Sequence, residues 1–371
     1  VIHRLRSFPV AALATVTVLA TLSAPAGAAK PSKPSRATKV SCTDRDDIAR
    51  DLNLGVNTPS GVETAHGMYA VPSTAPDTLV VFAHGYGHTS ASWAEHMKNS
   101  ARDHGVAAVA MDYRNSVITP DANGDGLPEA RGWRVMEGAQ DSIAAAQLFE
   151  ASCPSIDEIV IFGVSMGGNA SGLAVALAKD AHRSDGSPLF DYWVDVEGAV
   201  NVIETYAGAS VLAPVNTFAS NAKADIEEEM GGTFDQKPDT YAEHTVVNRI
   251  DDIKASGVKG VIVVHGVDDG LVPYNQAREM STLLAQAEIP TDMYTIGRKS
   301  EESERETTAT SYVGNQLDPE YNSPLAGHAS EKSQTHIVMV TALDRLWTLV
   351  DGEAPGPYRE FFVDGPTGTY P

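Results

Sequence analysis

Cysteine is scarce in this 371-residue chain: there are two, Cys42 and Cys153. Two thiols so far apart do not make a metal site. Basic residues are also in short supply, 27 against 49 acidic ones, for a formal charge of −22. Such a surface repels nucleic acid and anionic membranes and argues against both as partners. It bears on solubility and names no substrate. After the N-terminus no apolar run is long enough to span a bilayer, and there is no internal repeat. What remains is a chain with a hydrophobic fraction of 42%, which supports a sizeable core. The length allows one large α/β domain or two smaller ones.

The N-terminus speaks to compartment. Arg4 and Arg6 precede an apolar stretch over residues 10–22, and Ala24-Pro25-Ala26 and Ala26-Gly27-Ala28 both fit a small-x-small cleavage pattern. Residues 1–28 read as a secretory signal peptide, with a membrane anchor as the alternative; the apolar core is short for a span. Residues 29–41, rich in Pro, Ser and Lys, read as a disordered leader. Residues 42–371 read as one domain exported to the extracellular side. Both cysteines fall in that part, and an even count in an oxidising compartment suggests a Cys42–Cys153 disulfide; two unpaired thiols are the alternative.

Short apolar runs at residues 79–83, 106–111, 159–162, 192–196, 260–264 and 293–296 read as buried strands, with a weaker one over 62–71. Helical patterns at 92–104, 135–150, 170–178, 276–287 and 335–349 alternate with them. The alternation predicts an α/β fold with a mostly parallel central sheet and helices on both faces. Ligand sites in such sheets lie at the carboxyl ends of the strands. Two stretches interrupt the pattern. Residues 201–256, with an acidic run from Asp225 to Glu229, read as a cap or lid inserted in the same domain, and residues 297–326 as a long polar loop.

The motif that organises the rest is Gly163-Val164-Ser165-Met166-Gly167. A strand precedes it and a helix follows. A sharp strand-to-helix turn lifts the Ser165 hydroxyl clear of the sheet at a helix N-terminus. A serine hydroxyl needs a base to take its proton and an acid to hold that base. The acid candidate is Asp269, preferred over Asp268, in His265-Gly266-Val267-Asp268-Asp269-Gly270-Leu271-Val272-Pro273, directly after a strand. The base candidate is His328, on a loop before the last helix; His336 is the alternative, read as lying inside that helix where it cannot easily swing. The backbone N–H groups of Met166 and of Tyr86, in His84-Gly85-Tyr86-Gly87 after an earlier strand, are candidate donors to an oxyanion.

On these motifs the chain resembles the α/β-hydrolase superfamily, over roughly residues 62–350. The acid loop looks like that of the prolyl-oligopeptidase and dienelactone-hydrolase branches, and the serine turn like that of many lipases and esterases. The resemblance implies Ser165 as nucleophile, Asp269 as acid, His328 as base and an oxyanion hole from the Tyr86 and Met166 backbones, with no cofactor. The long stretch before His328 departs from the usual pattern. The expected activity is hydrolysis of a small-molecule or lipid carboxylic ester through an acyl-enzyme. A peptidase acting on short peptides and a non-catalytic binding protein of the same fold are the alternatives. One further motif, Asp121-Ala122-Asn123-Gly124-Asp125-Gly126, begins like a calcium loop, with Glu129 at position nine. Gly132 stands where an EF-hand needs a bidentate Glu, so the turn reads as a solvated acidic loop, any calcium there being a stabiliser.

Overall fold

The structure, a computed structural model, describes residues 38–121, 124–267, 269–297, 327–332 and 336–363. Among them the strands are β1 (Arg50–Thr58), β2 (Gly61–Ala70), β3 (Thr78–Ala83), β4 (Ala107–Met111), β5 (Val117–Thr119), β6 (Glu129–Arg131), β7 (Glu158–Val164), β8 (Tyr192–Val196), β9 (Gly260–Gly266), β10 (Thr291–Ile296) and β11 (Arg359–Val363). β5 and β6 form a separate hairpin; the others make one sheet in the order β1-β2-β4-β3-β7-β8-β9-β10-β11. β2 pairs antiparallel with both β1 and β4. All the other pairings are parallel, as the alternation of apolar runs and helices predicts.

Burial on both faces explains why the central strands are apolar throughout. In β7, Ile159 and Ile161 join one core cluster while Val160, Phe162 and Val164 join the other, as the two-residue period of a strand requires. The first cluster is completed by α2 (Val135–Ser152), α3 (Met166–Leu177) and α8 (Asn275–Gln286), through Phe149, Leu173 and Met280. The second is completed by α1 (Ala94–His104), through Met97, and by the last helix, α9 (Ile337–Val350), through Met339 and Leu346. Each such side chain contributes roughly 1.5–3 kcal/mol by leaving water. The strand carboxyl ends that hold the motifs are therefore fixed from both sides.

Residues 201–256 are largely helical: α4 (Val202–Leu212), α5 (Thr217–Met230), α6 (Pro238–His244) and α7 (Ile250–Ala255). α7 packs on α3, and α4 on α5. Cys42 and Cys153 are bridged. Cys153 ends α2, just before β7 begins, so the bridge lies at the edge of the sheet opposite Ser165. His336 is not inside the last helix. It directly precedes α9 with φ −63 and ψ 125, and the helix begins only at Ile337, where its buried stripe of Val338, Met339 and Ala342 starts. The segment read as a signal peptide, residues 1–28, lies outside the described residues, as do most of the leader and residues 298–326 of the long polar stretch. Among the described residues no helix is long and apolar enough to cross a membrane.

Candidate active site

Ser165 is the single residue between β7 and α3, with φ 58 and ψ −122. A non-glycine residue held there stores on the order of 1–3 kcal/mol of strain, which persists only when the surroundings over-determine it. Here they do. Ser165 N–H donates to the Val196 carbonyl at 2.9 Å, and its own carbonyl accepts from Gly168 N–H at 2.9 Å and Ala199 N–H at 3.0 Å. The flanking glycines are needed for space. A Cβ on Gly163 would collide with the Gly167 carbonyl and Ser171 Oγ, and one on Gly167 with the Ala83 carbonyl.

Two strands along the sheet, β9 delivers Asp269. Its Oδ1 accepts from the N–H groups of Leu271 (2.8 Å) and Val272 (3.0 Å). Its Oδ2 accepts from His328 Nδ1 at 2.6 Å. His265 braces this loop: its Nε2 bonds the Val272 carbonyl at 2.8 Å and lies 3.4 Å from Asp269 Oδ2. The structure thus brings Asp269 and His328 into direct contact, while Asp268 lies outside the described residues. His328 Nε2 is buried and has no hydrogen-bond partner among the described residues.

Glu197, the residue after the apolar run at 192–196, is not among the residues that the sequence motifs single out. The residue follows β8 with φ 48 and is fully buried. Its Oε1 accepts from Gly266 N–H at 3.1 Å and its Oε2 from Ala329 N–H at 2.5 Å, which ties the acid loop to the base loop. The same Oε2 lies 3.4 Å from His328 Nδ1. His328 therefore faces two carboxylates. Burial alone would hold its imidazolium down; the charge and hydrogen bond of Asp269, with Glu197 behind it, push its pKa up to about 9. For Asp269, burial opposes ionisation, but the charge of His328 and the hydrogen bonds from His265 and His328 hold it well below the usual carboxylate range. Glu197 goes the other way, pushed up to about 7 by burial and by the Asp269 charge.

The loop after β3 lies against the serine. A Cβ on Gly85 would sit 3.4 Å from Ser165 Cβ. His84 stacks on Tyr113 with ring centroids 3.9 Å apart, and Tyr113 Oη donates to the His84 carbonyl at 3.1 Å. Gly85 N–H is taken by Glu331 Oε1 and His88 N–H by the Gly85 carbonyl. The Tyr86 N–H is in neither of these bonds, and Met166 opens α3 beside the serine. The Tyr86 ring meets Phe218 of α5 edge-on at 5.5 Å, and its hydroxyl donates to Asp225. Asp225 also accepts from Arg131 at 3.1 Å and from Gly132 N–H at 3.2 Å. The acidic run noted in the sequence is thus a docking face of α5; further along it, Glu228 and Glu229 pair with Arg134.

Among the described residues, two groups of carboxylates and imidazoles lie close enough to share a cation, each with ligand atoms within 4.8 Å. In the buried one, Glu197, His265 and Asp269, the carboxylate oxygens already accept from N–H donors. That arrangement suits holding a proton acceptor in place. The other is Asp121, Asp125 and Glu129. There Asp121 accepts from Gly126 N–H at 2.8 Å and Asp125 pairs with the Lys332 ammonium at 2.5 Å, so one positive charge is already supplied.

No curated protein matches the chain. Among solved structures, a puromycin-hydrolyzing peptidase of Mycobacterium tuberculosis is similar with a TM-score of 0.51 and 16% identity, over 85% of this chain and 42% of its own. An acylaminoacyl peptidase of Pyrococcus horikoshii gives 0.48 and 18%, over 68% of this chain and 37% of its own. An esterase of Pyrococcus furiosus gives 0.44 and 16%, over 66% and 80%. The chain spans less than half the length of either peptidase, and at these identities the likeness concerns the fold. A family model described as alpha/beta hydrolase matches residues 80–329, from β3 through the Ser165 turn and Asp269 to His328. By that match, over more than half its length, the chain belongs to the alpha/beta hydrolase family.

Proposed function

We propose that the protein is a secreted serine hydrolase that cleaves carboxylic esters. The observation that supports this most is the pairing of His328 Nδ1 with Asp269 in the same sheet edge that holds Ser165 in its strained turn. In this reading Ser165 Oγ attacks the ester carbonyl as His328 Nε2 takes its proton, and the Tyr86 and Met166 N–H groups receive the charge that develops on oxygen. His328 returns the proton to the leaving alcohol. Water then attacks the acyl-enzyme by the same relay and releases the acid. In this reading the helices of residues 201–256 act as a cap, joined to the chemistry through Tyr86 and α5. The disulfide fits an oxidising, extracellular compartment.

A peptidase is the second reading, favoured by the form of the acid loop around His265 and Asp269. A panel of p-nitrophenyl esters of rising chain length with one peptidyl p-nitroanilide, run on the wild type and on Ser165→Ala, separates the two. Ester turnover that disappears in the variant is the expected result. Anilide turnover alone would establish the peptidase. Activity surviving in Ser165→Ala would overturn both.

A further inference from the structure

Glu331 has no part in the scheme above, and its position is hard to explain by packing. It is a carboxylate with about 1% of its side chain exposed, three residues after His328. Its Oε1 accepts from Gly85 N–H at 2.9 Å, across a sequence separation of 246 residues. The same oxygen lies 2.7 Å from His88 Nδ1, on the same loop as Gly85. The Glu331 carbonyl bonds His96 Nε2 of α1 at 2.8 Å. A Cβ on Gly85 would sit 3.4 Å from Ser165 Cβ and 3.5 Å from Glu331 Oε2, so Gly85 stands between the serine and this carboxylate.

We propose that Glu331 is a positioning residue: it joins the base loop to the loop after β3 and thereby aims the Tyr86 N–H at the oxyanion. The proposal rests on the reading of Ser165 and Tyr86 given above. Three observations make the geometry specific. The acceptor takes the N–H immediately before Tyr86, so the peptide plane that precedes the donor is fixed. His84 is held from the other side by Tyr113, so the loop is gripped on both flanks. The grip comes from the segment that carries His328, so the base and the oxyanion donor share one support. Burial opposes ionisation of this carboxylate, but the charge of the neighbouring His88 holds its pKa down to about 2.

The test compares Glu331→Ala and Glu331→Gln with the wild type. It measures kcat and KM on a p-nitrophenyl ester, inhibition by a boronic acid that mimics the tetrahedral adduct, and hydrogen exchange of the peptide covering residues 84–88. In Glu331→Ala, kcat is expected to fall about 100-fold, the lower end for losing one oxyanion donor, with KM little changed. Boronic acid affinity falls by a similar factor, and the 84–88 peptide exchanges faster while β7 does not. Glu331→Gln keeps an acceptor for Gly85 N–H and recovers at least about 10-fold of the lost rate. Unchanged exchange at 84–88 in Glu331→Ala overturns the proposal, whatever the enzyme does. So does a fall in kcat with no loss of boronic acid affinity. A wild type that neither turns over esters nor reacts with a fluorophosphonate would instead remove the hydrolase reading; the exchange comparison would still decide whether Glu331 holds the loop.

Discussion

Replacing Asp269 by Asn removes a charge and turns the oxygen that faces His328 Nδ1 into an N–H donor, which favours the tautomer with its proton on Nε2. Asn can still accept from the Leu271 and Val272 N–H groups, so the acid loop keeps its shape. What changes is the support of the His328 imidazolium. Its pKa stands at about 9 against an ordinary value of 6.5; at ~1.4 kcal/mol per pH unit the gap is worth roughly 3 kcal/mol. In the proposed mechanism the same stabilisation acts when His328 takes the serine proton, so losing all of it would slow the reaction a few hundred-fold. Glu197 Oε2, 3.4 Å from the same nitrogen, retains part of it. On the plateau above about pH 9 the expected loss in kcat/KM is therefore at least about 100-fold, and Asp269→Asn/Glu197→Gln should lose more than Asp269→Asn alone. The pH profile adds a sign. Only neutral His328 can act as a base, so wild-type kcat/KM should climb with pH until it levels above about 9. In Asp269→Asn that climb moves down toward 6.5, so the deficit is smallest in acid and widens as pH rises. Initial rates on a p-nitrophenyl ester from about pH 6 to about pH 10 measure this, with unfolding temperatures as a control. The reasoning fails if Asp269→Asn stays within about threefold of wild type on that alkaline plateau. It fails equally if the climb does not move, or if Glu197→Gln alone costs more than Asp269→Asn.

Three further outcomes follow from the geometry. Gly163→Ala forces a methyl group into the Gly167 carbonyl, which is backbone and cannot give way; it should cost about 3 kcal/mol, visible as a lowered unfolding temperature, and a native melt would contradict the tight turn. Removing the disulfide in Cys42→Ser/Cys153→Ser releases a bridge spanning 111 residues; urea unfolding should report a loss of about 2–4 kcal/mol, with kcat/KM unchanged because the bridge lies at the opposite edge of the sheet. Finally, Glu331 is held at about 2 against an ordinary value of 4.5. Its depressed pKa gives stability that is present above 4.5 and lost as pH falls toward 2, about 3 kcal/mol in all. Unfolding temperatures measured down that range should fall less steeply in Glu331→Gln than in the wild type.

Much of this was legible before the fold was known, because the informative residues sit where local pattern is strongest. Each central strand is a short apolar run, and Ser165, Asp269 and His265 follow such runs directly. The misses have physical causes. β1 has only Leu52, Leu54 and Val56 as buried positions, separated by Asn and Gly residues of low strand propensity; its long pairing with β2 decides the matter. α3 begins at Met166 and not at Ala170, because Gly167 and Gly168 weaken the helical signal while being required for close approach. Glu197 could have been suspected, since it ends a strand just as Asp269 follows one. Glu331 could not: its partner on the loop after β3 is 246 positions away, and no local spacing announces it.

Tyr86 serves two neighbours at once. The residue before it, Gly85, lies against the serine, while the Tyr86 ring and hydroxyl are held by Phe218 and Asp225 of α5. In the proposed mechanism, anything that displaces α5 therefore pulls on the residue asked to steady the oxyanion. A molecule too bulky for the space beneath α5 would be rejected through a lever, by spoiling the chemistry after it had entered, and not by exclusion at the entrance. Selectivity set in this way should register in kcat before it registers in KM.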